Sequence, residues 1–402
     1  LSLSDQSTAT LEIQATDADR FRMVLKADAG ERAIAFMQIH ATVDANEAFY
    51  GLGEYFDTPN HRGKIRAMQL ELDTTIESGY NEAHVPVPFV TGTRGWGLFV
   101  ESYRPAAFDV AHSQDNAVIA TVGTAQDSDQ GLIVHLFAAD HPLDITKHYY
   151  AVTSLPLVPA AWGLGPWIWR DENDSQEQVL SDVQILRDLD LPTTGIWIDR
   201  PYASGVNAFD FKSSQFPDPT GMIQQIHDMG LRLALWHAPY VEPNKEETAD
   251  LRAEAESKGY LPPLVGIEFK WGPPIDLTNP EAYAWWQNLI RTYTDMGIEG
   301  FKLDYGEDIV VGLAGVRTPW LFHDGTDELF QHSYYQLLYH KAYAETLPET
   351  GGFLLSRSGT YGDQAYTSVI WPGDLDATMA KHRDKVTRPN GTSYISVGGL
   401  PA

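Results

Sequence analysis

Along the first part of the chain, apolar and polar residues alternate in short runs, the period of half-buried strands. Leu11-Glu12-Ile13-Gln14-Ala15 alternates strictly. Phe21 to Leu25 and Ala33 to Val43 are apolar-rich runs between Asp, Gly and Asn clusters. Val87 to Val90 and Gly97 to Val100 flank the turn-prone Thr91-Gly92-Thr93-Arg94-Gly95. Ala117 to Val122 and Leu132 to Phe137 continue the series, with no amphipathic helix before Asp144. Many short strands at this spacing predict an antiparallel β-sandwich over residues 1–155.

The pattern changes at Pro156-Leu157-Val158-Pro159, which reads as a linker. Short apolar runs then alternate with longer helical stretches. The predicted strands are Trp162–Ile168, Thr194–Asp199, Arg232–Ala238, Gly300–Gly306, Phe353–Gly359 and Val369–Asp374. Ser175-Gln176-Glu177-Gln178 fits a helix capping box, with Val179, Val183, Leu186 and Leu189 following on one face. Asn279-Pro280 reads as N-cap and first helical residue. Ala282, Trp286, Leu289 and Tyr293 line that helix's apolar face, and Gly297 closes it. Alternation of this kind predicts a parallel sheet over residues 156–402, either open or closed as a (β/α)8 barrel.

Composition narrows the function classes. The 28 Lys and Arg against 55 Asp and Glu give a net charge of −27, which repels phosphate backbones and anionic lipid. Neither a nucleic acid nor a membrane is therefore expected as a partner, whereas a neutral sugar is compatible. The chain has no cysteine, which excludes disulfides, thiolate nucleophiles and Cys-ligated zinc. No apolar run approaches the ~18 residues of a membrane span. The chain starts at Leu1 rather than Met, as expected of a processed or trimmed form; a periplasmic or secreted location is compatible with this, and so is a cytoplasmic one.

Polar and aromatic residues gather at the C-terminal ends of the predicted strands, where sites form in parallel α/β folds. The endings are Trp167-Ile168-Trp169-Arg170-Asp171, Trp197-Ile198-Asp199-Arg200, Trp236-His237, Asp304-Tyr305-Gly306-Glu307, Ser356-Arg357-Ser358 and Trp371-Pro372-Gly373-Asp374. Carboxylates on different strands with Trp and Arg between them suit glycoside hydrolysis. A retaining mechanism needs two carboxyls ~5–5.5 Å apart, one attacking the anomeric carbon and one protonating the leaving oxygen. There is no HExxH, no Walker A motif and no Gly-x-Ser-x-Gly elbow, so no metal or cofactor is expected.

Phe301-Lys302-Leu303-Asp304-Tyr305-Gly306-Glu307 resembles the nucleophile motif of glycoside hydrolase family 31. Further matches fall in the family's order. They are Tyr50-Gly51-Leu52-Gly53-Glu54, Pro88-Phe89 with Thr93-Arg94-Gly95-Trp96-Gly97, Phe216-Pro217-Asp218-Pro219, Ser356-Arg357-Ser358-Gly359 and Trp371-Pro372-Gly373-Asp374. The resemblance implies a β-sandwich followed by a TIM-type barrel. It also implies a retaining, exo-acting enzyme on terminal α-linked glucose, xylose or galactose. Transglycosylases and lyases of the family share the covalent step, and a non-catalytic carbohydrate-binding protein is the alternative from another class.

By resemblance, Asp304 is the nucleophile and Asp374 the general acid/base. Arg357 contacts the nucleophile region or the sugar 2-hydroxyl, and Asp199 binds hydroxyls near C4 or C6. Lys302, two residues before Asp304, points to the same side of its strand and resembles the lysine of xylosidase-like members. Trp197, Trp236, Trp271 and Trp371 are candidate ring platforms. His237 is a candidate hydrogen-bonding partner of the sugar, and Glu307 is expected to orient Lys302 or Arg357.

Two departures stand out. Many family glucosidases carry a second acidic residue after the strand-two aspartate, whereas Asp199 is followed by Arg200-Pro201-Tyr202. A cation there suits an axial hydroxyl or an acidic group. The chain also stops at Gly398-Gly399-Leu400-Pro401-Ala402, where a seventh strand is due. Six strands do not close an eight-stranded barrel. The expectation is a barrel truncated after strand six, the chain being either a fragment or one half of an assembly whose other half is a second polypeptide, with homo-oligomerisation as a further alternative.

Overall fold

The computed structural model describes residues 8–28, 34–55, 57–70, 85–124, 131–170, 172–310, 312–313, 316–349, 351–371 and 396–397. The N-terminal part holds β1 (Thr8–Asp17), β2 (Arg20–Asp28), β3 (Phe36–Thr42), β4 (Phe49–Gly53), β5 (Lys64–Met68), β6 (Pro86–Gly92), β7 (Trp96–Glu101), β8 (Ala106–Val110), β9 (Ala117–Gly123) and β10 (Leu132–Ala138). They form two antiparallel sheets, ordered β1-β2-β10-β7-β6-β4 and β3-β9-β8-β5. Phe49, Leu52, Val90, Leu98, Phe108 and Val122 are buried in the core that the strands share. Each such side chain contributes about 1.5–3 kcal/mol by leaving water.

Three of these strands escape the alternation rule, for physical reasons. In β4, Gly51 and Gly53 adopt φ of 101° and 92°, and the pairing with β6 shifts register between them. A Cβ on Gly53 would lie 1.8 Å from the Val85 carbonyl oxygen, so the Tyr50-Gly51-Leu52-Gly53-Glu54 motif is a steric condition for this close approach. In β5 Arg66 shares the buried face with Met68, and its guanidinium binds Asp57 at 2.6 Å and His61 Nδ1 at 3.1 Å. β8 reads Ala-Ala-Phe-Asp-Val, too short and small to show a period.

Helix α1 (Ile145–Val152) follows the sandwich. Then come β11 (Trp167–Arg170), α2 (Gln176–Asp188), β12 (Gly195–Ile198), α3 (Pro219–Asp228), β13 (Arg232–His237), α4 (Ala249–Ser257), α5 (Pro280–Thr294) and β14 (Gly300–Leu303). After the hairpin of β15 (Gly312–Leu313) and β16 (Val316–Arg317) follow α6 (Glu328–Ala344), β17 (Phe353–Ser356), β18 (Val369–Ile370) and β19 (Ser396–Val397). One sheet runs β11-β12-β13-β14-β17-β18-β19, parallel up to β18, with β19 antiparallel at its edge. This is part of a barrel wall, and helix-side residues such as Ile196, Leu235, Phe301, Trp286 and Tyr339 form its outer core.

Local chemistry explains the element ends. Ser175 accepts from the Gln178 N–H, and Val179 and Val183 are fully buried, as the capping box predicts. Leu189 does not join that face: α2 ends at Asp188 and Leu189 is 64% exposed. The first barrel strand starts later than predicted, because residues Ala161–Leu164 form a 3-10 turn and Pro166 lacks the N–H a ladder needs. Asn279 caps α5 by accepting from the Glu281 N–H, and Ala282, Trp286 and Tyr293 are buried. Sandwich and barrel sheet share a contact zone. Tyr103 stacks on Tyr361 at 4.2 Å, and Arg104 binds Asp327 at 3.1 Å.

Candidate active site

Successive strand residues face opposite sides of a sheet. Trp197, Trp236 and Lys302 therefore reach the inside of the curved wall, while Ile198, Leu235 and Leu303 face the helices. Register places Trp169 beside Trp197, Trp236 beside Lys302, and Lys302 beside Leu355. The concave side encloses a cavity of about 920 Å³. Of the residues singled out in the sequence, Trp197, Asp199, Arg200, Trp236, Trp271, Lys302, Asp304 and Trp371 line it.

Asp304 follows β14 directly and is 4% exposed. Its Oδ1 accepts from the Tyr305 N–H at 3.0 Å and from Arg357 Nη1 at 2.9 Å. Its Oδ2 accepts from Trp236 Nε1 at 2.8 Å, with Lys302 Nζ at 3.9 Å. Both oxygens are thus oriented, two of the contacts being to cations. Tyr305 sits at φ 56°, in the left-handed region. Such a backbone is sparsely populated for a bulky residue and persists where surrounding contacts hold it.

Arg357 joins three carboxylates with three nitrogens. Nη1 meets Asp304, Nε meets Glu307, and Nη2 lies 3.4 Å from Asp308. Its guanidinium also lies 4.3 Å from the Tyr305 ring centre. Burial works against its charge, but Glu307, Asp304 and Asp308 outweigh that and hold the guanidinium well above its usual range. Glu307 therefore positions Arg357.

Asp199 sits across the cavity floor. Its Oδ2 accepts from Lys302 Nζ at 2.8 Å and Trp169 Nε1 at 3.0 Å, and its Oδ1 from the Arg200 N–H at 3.0 Å. Burial pushes the Asp199 carboxyl up, against the pull of Lys302. The Lys302 ammonium lies 5.3 Å from the ring centres of both Trp169 and Trp371. Trp236 and Trp271 meet edge to face at 5.6 Å, walling the other side. Among the described residues no group of three or more His, Asp or Glu is arranged to hold a metal ion.

Two residues singled out in the sequence are not in this constellation. Asp374 lies outside the described residues, as do Pro372 and Gly373; Trp371 is the placed member of that motif. His237 alternates with Trp236 and faces away from the cavity. It is fully buried among Phe301, Tyr293 and Tyr343, with Nδ1 2.8 Å from the Tyr343 hydroxyl. A sugar does not reach it there. Burial lowers its pKa to about 3, so the imidazole is neutral in the fold, and His61 is likewise lowered to about 4. The unfolded chain takes up these protons near pH 6.5. Their stabilising contribution is full above pH 6.5 and is lost as pH falls toward the folded values, by at most about 1.4 kcal/mol per pH unit per histidine. Urea unfolding should therefore give a lower free energy at pH 5 than at pH 7, with a smaller difference in His237→Phe.

The sequence reading also passed over contributors. Trp169 was visible as a strand ending, but its bond to Asp199 was not. Tyr305 supplies a backbone donor, which any residue type can do. Lys270 lies in an irregular segment, with its ammonium 4.5 Å from the Trp271 ring centre and 5.0 Å from that of Tyr305. No periodicity marks such a position.

Comparison with known proteins agrees with this architecture. Residues 156–400 match the glycosyl hydrolases family 31 TIM-barrel domain, and residues 4–109 match the glycosyl hydrolase 31 N-terminal galactose mutarotase-like domain. The chain is 27% identical over 334 residues to alpha-xylosidase XylQ of Lactiplantibacillus pentosus, covering 79% of this chain and 41% of that protein. It is 25% identical over 442 residues to an isomaltosyltransferase of Sporosarcina globispora, covering 100% of this chain and 39% of that protein. The cycloalternan-degrading enzyme from Trueperella pyogenes superposes with a TM-score of 0.78 at 22% identity, over 95% of this chain and 60% of that one. The chain thus spans about two-fifths of the length of these two curated relatives. With the family's barrel domain matched over more than half its residues, this chain belongs to glycoside hydrolase family 31.

Proposed function

We propose that this chain carries the nucleophile of a retaining, exo-acting α-glycosidase. The carrying observation is Asp304, a buried carboxylate at a barrel-strand end, oriented by Trp236, Tyr305 and Arg357 and open to a cavity walled by indoles. In this reading Asp304 attacks the anomeric carbon of a terminal α-linked sugar. Asp374 protonates the departing oxygen, and a glycosyl–Asp304 ester forms. Asp374 then takes a proton from water, whose oxygen displaces Asp304 and releases the sugar with its α configuration. Lys302, Asp199 and Arg200 hold sugar substituents, and Trp197, Trp236, Trp271 and Trp371 contact ring faces. The sandwich spans residues 1–155, and residues 156–402 contribute six parallel strands of an eight-stranded barrel.

A sugar hydroxyl in place of water would make the same ester a transglycosylation intermediate. The likeness to an isomaltosyltransferase supports this second reading. Proton NMR of the first product from aryl α-xyloside, α-glucoside and α-galactoside tests both. An α-configured product is expected, with transfer products appearing only when an acceptor sugar is added. A β-configured first product contradicts the covalent route.

A further inference from the structure

β14 ends at Leu303, so the backbone carbonyls just beyond Asp304 leave the sheet ladder. Buried acceptors of this kind cost free energy unless a donor reaches them. Three in a row are met by side chains. Tyr240 Oη donates to the Tyr305 carbonyl at 3.1 Å. Gln336 Nε2 donates to the Gly306 carbonyl at 2.7 Å. His332 Nε2 donates to the Glu307 carbonyl at 2.8 Å. Arg317 sets the direction of this last bond. A guanidinium can only donate, and it does so to His332 Nδ1, which leaves the ring hydrogen on Nε2. Burial, and then the Arg317 charge, hold the imidazole well below its usual pKa and therefore neutral.

Two of these donors come from one helix. His332 and Gln336 are four residues apart on α6 and share a face. α6 joins the parallel neighbours β14 and β17, so it sets out from the end of the sheet where Asp304 and Arg357 lie. Apolar residues are the rule on such a buried face, yet Gln336 is 0% and His332 1% exposed. Gln336 makes a second bond: Ser358 Oγ donates to its Oε1 at 2.7 Å. One amide thus ties the loop behind Asp304 to the loop behind Arg357. A Cβ on Gly306 would lie 2.3 Å from Gln336 Oε1, so a side chain there would push the amide away.

The loop held in this way aims the carboxylate. Tyr305 has a left-handed backbone, and its N–H donates to Asp304 Oδ1 at 3.0 Å. A backbone of that kind persists only where its surroundings fix it. Pinning the Tyr305 carbonyl and the next two restricts rotation about the Tyr305 backbone, and with it the direction of that N–H.

We infer that Gln336, seconded by His332, is a positioning residue for Asp304: α6 holds the loop behind the carboxylate and locks it to the loop behind Arg357, so that the two groups keep one relative placement. The catalytic part of this rests on the glycosidase reading of Asp304, whereas the clamp stands on its own bonds.

The test compares the full-length parent protein with Gln336→Met, Ser358→Ala, His332→Gln and His332→Leu. Methionine keeps the length of glutamine and removes both bonds. In Gln336→Met, kcat for an aryl α-glycoside should fall about 10- to 100-fold while KM stays within about 3-fold, the pattern of a displaced reacting group rather than a lost binding contact. Ser358→Ala removes only the bridge between the two loops and should lower kcat by about 3- to 10-fold; it carries the test where Gln336→Met does not fold. His332→Gln keeps an N–H for the Glu307 carbonyl and should lose less than His332→Leu. Hydrogen exchange without any sugar, read by mass on the peptide containing residues 304–308, should run at least about 10-fold faster in Gln336→Met, with the sandwich peptides exchanging as in the parent. Unchanged exchange in that peptide overturns the clamp. Faster exchange with kcat within about 2-fold of the parent overturns the positioning role, and so does a loss that lies in KM alone. A parent that hydrolyses no α-glycoside overturns the glycosidase reading instead, and the exchange result then decides the clamp by itself.

Discussion

Asp304→Ala is expected to lower kcat/KM for aryl α-glycosides by at least about 10³-fold while the protein stays folded. The size follows from the role. Without the carboxylate no glycosyl ester forms, and water would have to reach a face of the sugar that the protein covers. A 10³-fold loss corresponds to about 4 kcal/mol of barrier. Retention of fold follows from the surroundings. Arg357 keeps Glu307 and Asp308, Lys302 keeps Asp199, and Trp236 loses one partner at a cavity surface where water can replace it. Removing one of several crowded carboxylates also relieves repulsion. Unfolding curves matching the parent, together with the lost turnover, separate this outcome from simple damage. Turnover within about 10-fold of the parent would remove Asp304 from the role.

Arg357→Met is expected to act on both fold and turnover. The substitution leaves Asp304, Glu307 and Asp308 crowded in a buried site without the cation they share. Breaking a buried pair by removing one partner costs about 3–5 kcal/mol, and here three partners are left. Urea unfolding should show a loss of that order at pH 7. Arg357→Lys should rescue little, because one ammonium cannot meet three carboxylates from the three nitrogens of a planar fork. In whatever folded enzyme remains, kcat should fall more than KM rises, since Arg357 holds Asp304 rather than filling the cavity. A fall in stability under about 1 kcal/mol would contradict the hub description.

Much of this site could be read before any coordinates. Alternation put Lys302 and Asp304 on one side of their strand, and they lie together at 3.9 Å. The same rule spoke against His237, which adjoins the inward-facing Trp236 and so had to face the helices. Residue type and nearness to Trp236 favour a sugar contact, but the period of two decides the side. Arg357 was visible as an arginine at a strand end. Its three-way contact was not, because spacing along a chain does not say which carboxylates from a neighbouring strand converge on it. β4 was hidden by the positive-φ glycines that let it approach β6. Lys270 was hidden because an irregular segment has no period to read, and only the fold brings its ammonium to the Trp271 and Tyr305 rings. The capping box at Ser175 shows the limit from the other side. It located the start of α2 correctly, yet the apolar series ran past the point where the helix ends, leaving Leu189 in solvent.

The central claim is a covalent bond between Asp304 and the sugar. It is tested most directly by incubating the full-length protein with a fluorinated α-glycoside whose ester hydrolyses slowly, then measuring the mass of its peptides. The account predicts one added glycosyl mass per active site, on the peptide containing Phe301-Lys302-Leu303-Asp304, with fragmentation placing it on Asp304. A glycosyl mass on a different residue, or turnover of the ordinary glycoside with no labelled peptide at any time, would contradict it.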